Sequence, residues 1–318
     1  MKLKNEFPES FYAEEEKIFR VASETKKLWA VLLDLLLEFD RVCKKHGIKY
    51  MIDGGTLLGA MRHGGFIPWD DDIDIVILRE EYEKLQKVAK DEFMHPYFFQ
   101  TYATDKGYPR NFARLRNSET TAIQRFEIHN GRPLFAYNQG AFIDIFIEDN
   151  VPADVETRNQ FLDSIYVLHE KIWGYRKIKI LLKGFNPLRV VRILCRYAKP
   201  LMMQYIFGKD PFFEYCSKID FLCQKFNVEK TEYVSHLGFC ANRRDKLCLM
   251  VPRMFFEELT TVSFEGFQFP ATAYANEYLE MIYGNWRKYV VGVNCHGGCI
   301  FDPDKSYKEY LKEAGWRM

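Results

Sequence analysis

Apolar residues between Thr25 and Lys45 recur at helical spacing, with Leu28, Trp29, Leu32, Leu33, Leu35, Leu36 and Phe39 on one broad stripe. The basic Lys44-Lys45-His46 end and the following Gly47 mark where that helix stops. The stripe predicts a core helix packed on a strand that starts at Ile48. The period then shortens to two at Ile73, Ile75 and Ile77, which predicts a strand with one apolar face. A second helix is expected over Arg79 to Phe93. Strands are expected over Tyr97 to Tyr102, Phe112 to Leu115, Thr120 to Gln124 and Ala141 to Ile147. From Asp154 the pattern turns helical. Phe161, Ile165, Leu168 and Ile172 place a helix over Thr157 to Tyr175, and Asp210-Pro211 opens another over Lys209 to Phe226. Tyr233 to Phe239 and Thr261 to Phe269 read as strands, the latter turning at Glu265-Gly266, and helices follow at Tyr274 to Tyr283 and Tyr307 to Ala314. These elements predict an α/β (α+β) fold. A mixed β-sheet core flanked by helices occupies 25–150, and a basic, helical α+β portion over 151–318 completes it as one compact unit.

The polar positions around the isoleucine strand carry the candidate chemistry. Asp72 and Asp74 alternate with Ile73 and Ile75 and are expected on one face, with Asp70 one period earlier and Asp71 on the other side. Carboxylates about 7 Å apart along a strand repel each other unless protons or a cation sit between them. A hard divalent ion, Mg²⁺ or Mn²⁺, held together with substrate phosphates meets that need. Upstream, Tyr50 to Asp53 reads as a strand that turns through Gly54-Gly55 and Thr56 into a short helix. Glycine there lets the backbone approach a phosphate, and the helix start supplies N–H donors. Taken singly, the acidic run is a solvated turn and the Gly-Gly pair an ordinary tight one. Together, strand, Gly-Gly, short helix, a glycine-rich loop with Pro68-Trp69, and Asp-x-Asp on a new strand follow the order of a nucleotidyltransferase-type site.

Two further positions stand out. Arg114 and Arg116 share a strand face, and Arg116 is the candidate for a bidentate grip on phosphate; a solvated strand edge with cross-strand ion pairs is the other reading. Asp144 is a single acid among Phe142, Ile143, Ile145 and Phe146, so it is expected to be buried and to need a partner. That partner is either the metal of Asp72 and Asp74 or an arginine in a buried salt bridge.

Three segments resemble the LicD family of phosphocholine and related phospho-alditol transferases, which includes the fukutin-like enzymes. They are Asp53-Gly54-Gly55-Thr56-Leu57-Leu58-Gly59, Arg62-His63-Gly64-Gly65-Phe66-Ile67-Pro68-Trp69-Asp70-Asp71-Asp72-Ile73-Asp74, and Gly140-Ala141-Phe142-Ile143-Asp144-Ile145-Phe146. Tyr278 to Trp286 is a weaker match to the family's C-terminal segment. The resemblance implies a nucleotidyltransferase-like fold and transfer of a phospho-alcohol from a CDP-linked donor such as CDP-choline. The acceptor it implies is a sugar hydroxyl of a cell-surface glycan, as in lipopolysaccharide or teichoic acid, or its lipid-linked precursor. It also implies roles. Asp72 and Asp74 hold the metal, Asp144 supplies the third carboxylate or the base, and Asp70 is a second-metal ligand. Gly54, Gly55 and Thr56 cradle phosphate, and Asp71 is dispensable by comparison. A nucleotidyltransferase moving NMP from an NTP would use the same carboxylates, whereas an Asp-x-Asp sugar transferase would leave Gly54-Gly55 and Asp144 without a role. A binding module would carry three converging acids for no return. Choline would call for an aromatic cage, whose members the pattern does not single out beyond the candidates Trp69 and Trp286.

Composition narrows the setting. A net charge of +1 argues against nucleic acid as partner. No apolar run approaches the roughly 20 residues of a membrane span, and the N-terminus lacks a secretory apolar region, so a reduced, cytoplasmic protein is expected, including at the inner face of the membrane. Cys295 and Cys299, with Cys240 and Cys248, form either a zinc site or buried free thiols. Over 176–203 basic residues interleave with apolar ones and no acid occurs, which suits a peripheral membrane contact or a lid over the nucleotide site.

Overall fold

In a computed structural model of the chain, the leucine stripe forms helix α1 (Ser23–His46), which ends at Gly47 in the left-handed region at φ 61°. The structure describes residues 3–16, 19–129, 132–181, 198–203, 206–239, 250–290 and 298–315, with Leu188, Val191 and Cys195. After α1 come β1 (Met51–Ile52), α2 (Gly54–His63), β2 (Asp74–Leu78) and α3 (Arg79–Glu92). Strands β3 (Tyr97–Gln100), β4 (Ala113–Asn117), β5 (Thr121–Gln124) and the long β6 (Ala141–Asn150) follow. The result is an α/β nucleotidyltransferase-like fold with a mixed sheet at its centre.

β6 is the strand on which the others align. It runs parallel to β2, with Asp144 opposite Asp74, and antiparallel to β4, with Asp144 opposite Arg114. β1 lies outside β2 and β3 outside β4, while β7 (Tyr233–Ser235) and β8 (Val251–Pro252) continue from the far end of β6 to make seven strands. Strand alternation then divides β6 cleanly. Ile143, Ile145 and Ile147 join the core formed with Val31, Leu32 and Leu35 of α1, and Phe142, Asp144, Phe146 and Glu148 face the other way. The helices therefore cover one face of the sheet, and the chemistry is confined to the other.

Past β6 the chain builds a second core. Phe161, Ile165 and Ile172 of α4 (Val155–Leu181) pack with Phe212, Tyr215 and Ile219 of α5 (Pro211–Cys223), and Tyr108, Phe135 and Tyr137 close the cluster. The chain then returns to the first core through hairpin β9 (Leu259–Phe264) and β10 (Phe267–Thr272) and helix α6 (Ala275–Tyr283), contributing Phe264, Phe269, Tyr278 and Leu279. The hairpin turns at Glu265 and Gly266, both with positive φ (50° and 82°), as a two-residue primed turn requires. The Glu265 carboxylate accepts the Phe66 N–H at 2.9 Å and so anchors the glycine-rich loop ahead of the acids. Strand β11 (Cys299–Asp302) pairs with β5, and α7 (Tyr307–Glu313) follows with a capping box at Ser306 and Glu309.

No helix among the described residues is long and apolar enough to cross a membrane. Of the basic 176–203 stretch, Lys183, Arg189, Arg192 and Arg196 lie outside the described residues. Its first member, Arg176, is buried against Glu127 at 3.0 Å and is not a surface charge. Cys240, Cys248 and Cys295 also lie outside the described residues, and Cys299 is a half-buried free thiol pushed up to about 12 by burial and then by Asp71.

A buried ionic seam joins the two cores. Arg79, at the start of α3, donates to both oxygens of Asp149 at 2.7 Å and to Asp220 of α5 at 2.9 Å. Removing one partner of such a pair leaves a charge stranded in the interior. Asp149→Ala is expected to cost about 3–5 kcal/mol, read as a lower denaturant midpoint in equilibrium unfolding.

Candidate active site

The site forms where α2 starts. Asp53 is the N-cap residue; its N–H donates to the Asp74 carbonyl at 3.0 Å, so β1 and β2 hold the helix start beside the first residue of β2. Gly54 takes φ 53°, and a Cβ on it would stand 2.9 Å from Asp74 Oδ2. A Cβ on Gly55 would stand 2.6 Å from Asp70 Oδ2. The two glycines thus leave room for two carboxylates at a helix N-terminus, where backbone N–H groups favour negative charge. Thr56 is occupied differently from its expected phosphate contact: it is buried, and its Oγ1 accepts the Asp74 N–H at 2.9 Å.

The acids do not alternate as the sequence pattern predicts. β2 begins only at Asp74, so residues 70–73 form a loop and strand alternation does not place them; Asp72 still stands beside Asp70 and Asp74, whose carboxyls its charge raises after burial. Carboxylate oxygens of Asp70, Asp71 and Asp72 lie within 4.8 Å of one another, which puts Asp71 inside the cluster and not across the strand from it. Trp29 of α1 fixes this loop by donating its indole N–H to the Asp70 carbonyl at 2.9 Å, with its ring stacked on Phe66 at 4.6 Å.

Crowding shows in the protonation of these groups. Burial, then the charges of Asp72 and Asp71, push the Asp70 carboxyl up to about 9. Burial likewise raises Asp74 well above the ordinary range, followed by Asp72, Asp144, Asp53 and Asp70. Carboxylates that cannot all ionise together form an all-oxygen donor set, which suits a hard divalent cation.

Asp144 meets Arg114 across the sheet, at 2.5 Å from Nε to Oδ1 and 3.3 Å from Nη2 to Oδ2. The salt bridge and the neighbouring Asp74 are thus both present, one strand away on either side. Burial opposes the Arg114 charge, but Asp144 outweighs it and holds the guanidinium above its ordinary value. Arg116 does not reach the acids. It donates to Gln100 Oε1 and to the Gly140 carbonyl, both at 2.5 Å, and lies over the Phe142 ring at 4.7 Å. At 2% exposure Arg116 is no solvated strand edge, the second reading from the sequence.

Several contributors carry no local sequence signal. Tyr278 of α6 donates its hydroxyl to Asp53 Oδ1 at 2.6 Å, across 225 residues of chain. Tyr283, at the end of α6, faces the cluster: burial, then Asp53, Asp74, Asp70 and Asp72, raise its hydroxyl far above the usual range. Glu148, two pleats beyond Asp144 on the same face, pairs with His236, whose ring sits 5.4 Å from Phe146. Burial works against the imidazolium, yet Glu148 prevails and pushes His236 up to about 9. Trp69 and Trp286, the two aromatic candidates, pack against Phe19 and under Arg287 respectively.

A mixed sheet that brings an acidic strand end and a Gly-Gly helix start together on the face away from α1 defines a nucleotidyltransferase-type domain. Residues 47–162 match the family model described as LicD/FKTN/FKRP, nucleotidyltransferase domain, so this stretch of the chain is a LicD-type domain. Among its relatives is the lipopolysaccharide cholinephosphotransferase LicD of Haemophilus influenzae, 28% identical over 263 residues, 81% of this chain and 89% of that protein. An uncharacterised protein of Rickettsia prowazekii is 34% identical over 122 residues, 38% of this chain and 40% of that one. The human ribitol 5-phosphate transferase FKRP is 33% identical over 82 residues, 26% of this chain and 17% of its own length.

The His236 pair gives a stability signature. A histidine whose folded pKa is raised contributes fully below its ordinary value near 6.5, and the contribution is lost as pH climbs through about 9. Stability is expected to fall by on the order of 2 kcal/mol between pH 6.5 and 9. In His236→Gln that slope should flatten, as urea unfolding at the two pH values would show.

Proposed function

We propose that this chain transfers a phospho-alcohol group of phosphocholine type from a CDP-linked donor to a sugar hydroxyl of a cell-surface glycan or its lipid-linked precursor, with Mg²⁺ or Mn²⁺ as cofactor. The observation that carries this reading is the crowd of carboxylates at the α2 start, facing an arginine-held Asp144 on the adjacent strand. The names of two relatives, a lipopolysaccharide cholinephosphotransferase and a ribitol 5-phosphate transferase, support the same class of transferred group.

Phosphoryl transfer asks little covalent work of a protein; it asks for in-line positioning and for compensation of charge on the transferring and leaving groups. Asp70, Asp72, Asp74 and Asp144 would hold the ion, which supplies charge neutralisation at the diphosphate of the donor. The α2 start presents backbone N–H groups beside them. Arg114 fixes the Asp144 carboxylate, and Oδ2, the oxygen it holds less closely, would be the one to accept the proton of the acceptor hydroxyl. Tyr278 and Asp53 keep the helix start in register with these groups. The basic 176–203 stretch would bring the chain to a surface carrying a lipid-linked acceptor.

The family description itself favours a second reading, transfer of a nucleotide from an NTP. The two differ in the phosphorus attacked, and the nucleotide product separates them. Incubation with Mg²⁺ and a panel of CDP-alcohols and NTPs, followed by mass spectrometry, should show CMP released from a CDP-alcohol and abolished by EDTA. Asp74→Asn should lower the rate by about a thousandfold or more. Pyrophosphate from an NTP would replace the first reading with the second. Gly55→Ala is a finer probe. Its methyl displaces the Asp70 carboxylate, so turnover should drop at least about tenfold while unfolding stability changes by less than about 1 kcal/mol, because alanine is the better helix former.

A further inference from the structure

Four guanidiniums lie behind β6: those of Arg110, Arg114, Arg116 and Arg176. None of their side chains is more than 12% exposed. Buried cations normally have a carboxylate each or are costly. Arg114 has Asp144, and Arg176 has Glu127 at 3.0 Å. Arg116 is closed off by two neutral oxygens, with Asp105 standing behind Gln100. Among the described residues, and with Asp105 counted, these four cations face three carboxylates, so one of them has no carboxylate of its own.

The surplus falls on Arg110. Its Nη2 donates to Gln124 Oε1 at 2.9 Å and reaches Glu127, already held by Arg176, only at 3.5 Å. Its Nε is buried with no partner, and among the described residues Nη1 has none either. The same Gln124 oxygen receives Arg114 Nη1 at 3.5 Å, so Arg110 stands one acceptor atom away from the pair that orients Asp144. Phe112 and Phe126 flank its guanidinium at 5.5 and 5.8 Å, and Phe126 is 46% exposed. Burial and the neighbouring Arg114 lower the Arg110 pKa, the direction expected of a cation short of counter-charge.

We propose that Arg110, not Arg116, is the residue that binds a substrate phosphate, with Phe112 and Phe126 as the apolar walls beside it. This rests on the transfer reading above for the identity of the substrate, though not for the existence of the anion site. A phosphate ester can come from two sources here, the nucleotide of the donor or a phosphorylated sugar of the acceptor. Unpartnered Nε and Nη1 N–H groups on either side of the engaged Nη2, with an exposed ring next to them, serve either.

The test is calorimetric binding of CDP, CMP and glucose 6-phosphate to the wild-type chain, Arg110→Gln and Arg110→Lys, with equilibrium unfolding of each. Arg110→Gln should weaken binding of the preferred probe at least about tenfold, and Arg110→Lys, which keeps the charge without the fork, should fall between. Because the variant removes a surplus cation, its denaturant midpoint should equal or exceed that of the wild type. Wild-type protein that binds CDP, with Arg110→Gln binding it equally, overturns the assignment and leaves the transfer reading intact. Arg110-dependent binding of glucose 6-phosphate without CDP binding supports the anion site, assigns it to the acceptor, and counts against the CDP donor. A marked loss of stability in Arg110→Gln would make the residue a structural cation, and the inference would fall.

Discussion

Mutual repulsion among buried carboxylates is the constraint around which this fold is arranged. Burial raises the Asp74 and Asp70 carboxyls, and the charges of Asp72, Asp144, Asp53 and Asp70 add to it at Asp74, those of Asp72 and Asp71 at Asp70. Such an arrangement persists only if surrounding structure holds it, since each group alone gains by moving toward water. The holding is done by backbone. β1 and β2 fix Asp53 against Asp74, parallel pairing of β2 with β6 fixes Asp74 against Asp144, and the Trp29 indole fixes the Asp70 loop. The apolar side of the sheet, on α1, is what makes those strands immovable.

The opposite charge is placed with equal economy. β4 runs along β6 with arginines on the face that carries Asp144, so the sheet itself changes sign over two strand spacings: Asp74 on β2, Asp144 on β6, and Arg114 and Arg116 on β4. A ligand with a metal-binding end and an anionic flank matches that gradient.

Much of this was legible in the sequence. The leucine stripe, the isoleucine alternation and the Gly-Gly pair located α1, β2 and the α2 start within a residue or two, because each is a local pattern with a single structural solution. Asp144 was marked by being the one acid in an apolar strand, and the arginine proposed for it lies next to it, as does Asp74 on the other side. What the sequence misplaced depended on where a strand starts. Extending the alternation two residues too early put Asp71 on the wrong side. Strand spacing says which residues share a face and nothing about what covers that face, so the burial of Arg116 under Gln100 and Gly140, from other segments, was not legible. Tyr278, His236 and Arg110 were illegible for the same reason, each drawing its role from a partner far along the chain or from the sum of charges around it.

The bond from Tyr278 to Asp53 spans 225 residues, longer than the 47–162 stretch that the family model matches. During synthesis, every acid of the cluster leaves the ribosome well before the residue that braces its helix. A nascent chain halted after β6 would hold all the carboxylates and the whole Gly-Gly turn while lacking Tyr278, Tyr283 and the Glu265 anchor. Completion of the chain, and not the appearance of its motif, is therefore the event that assembles the site in time, and the motif alone is an unfinished part.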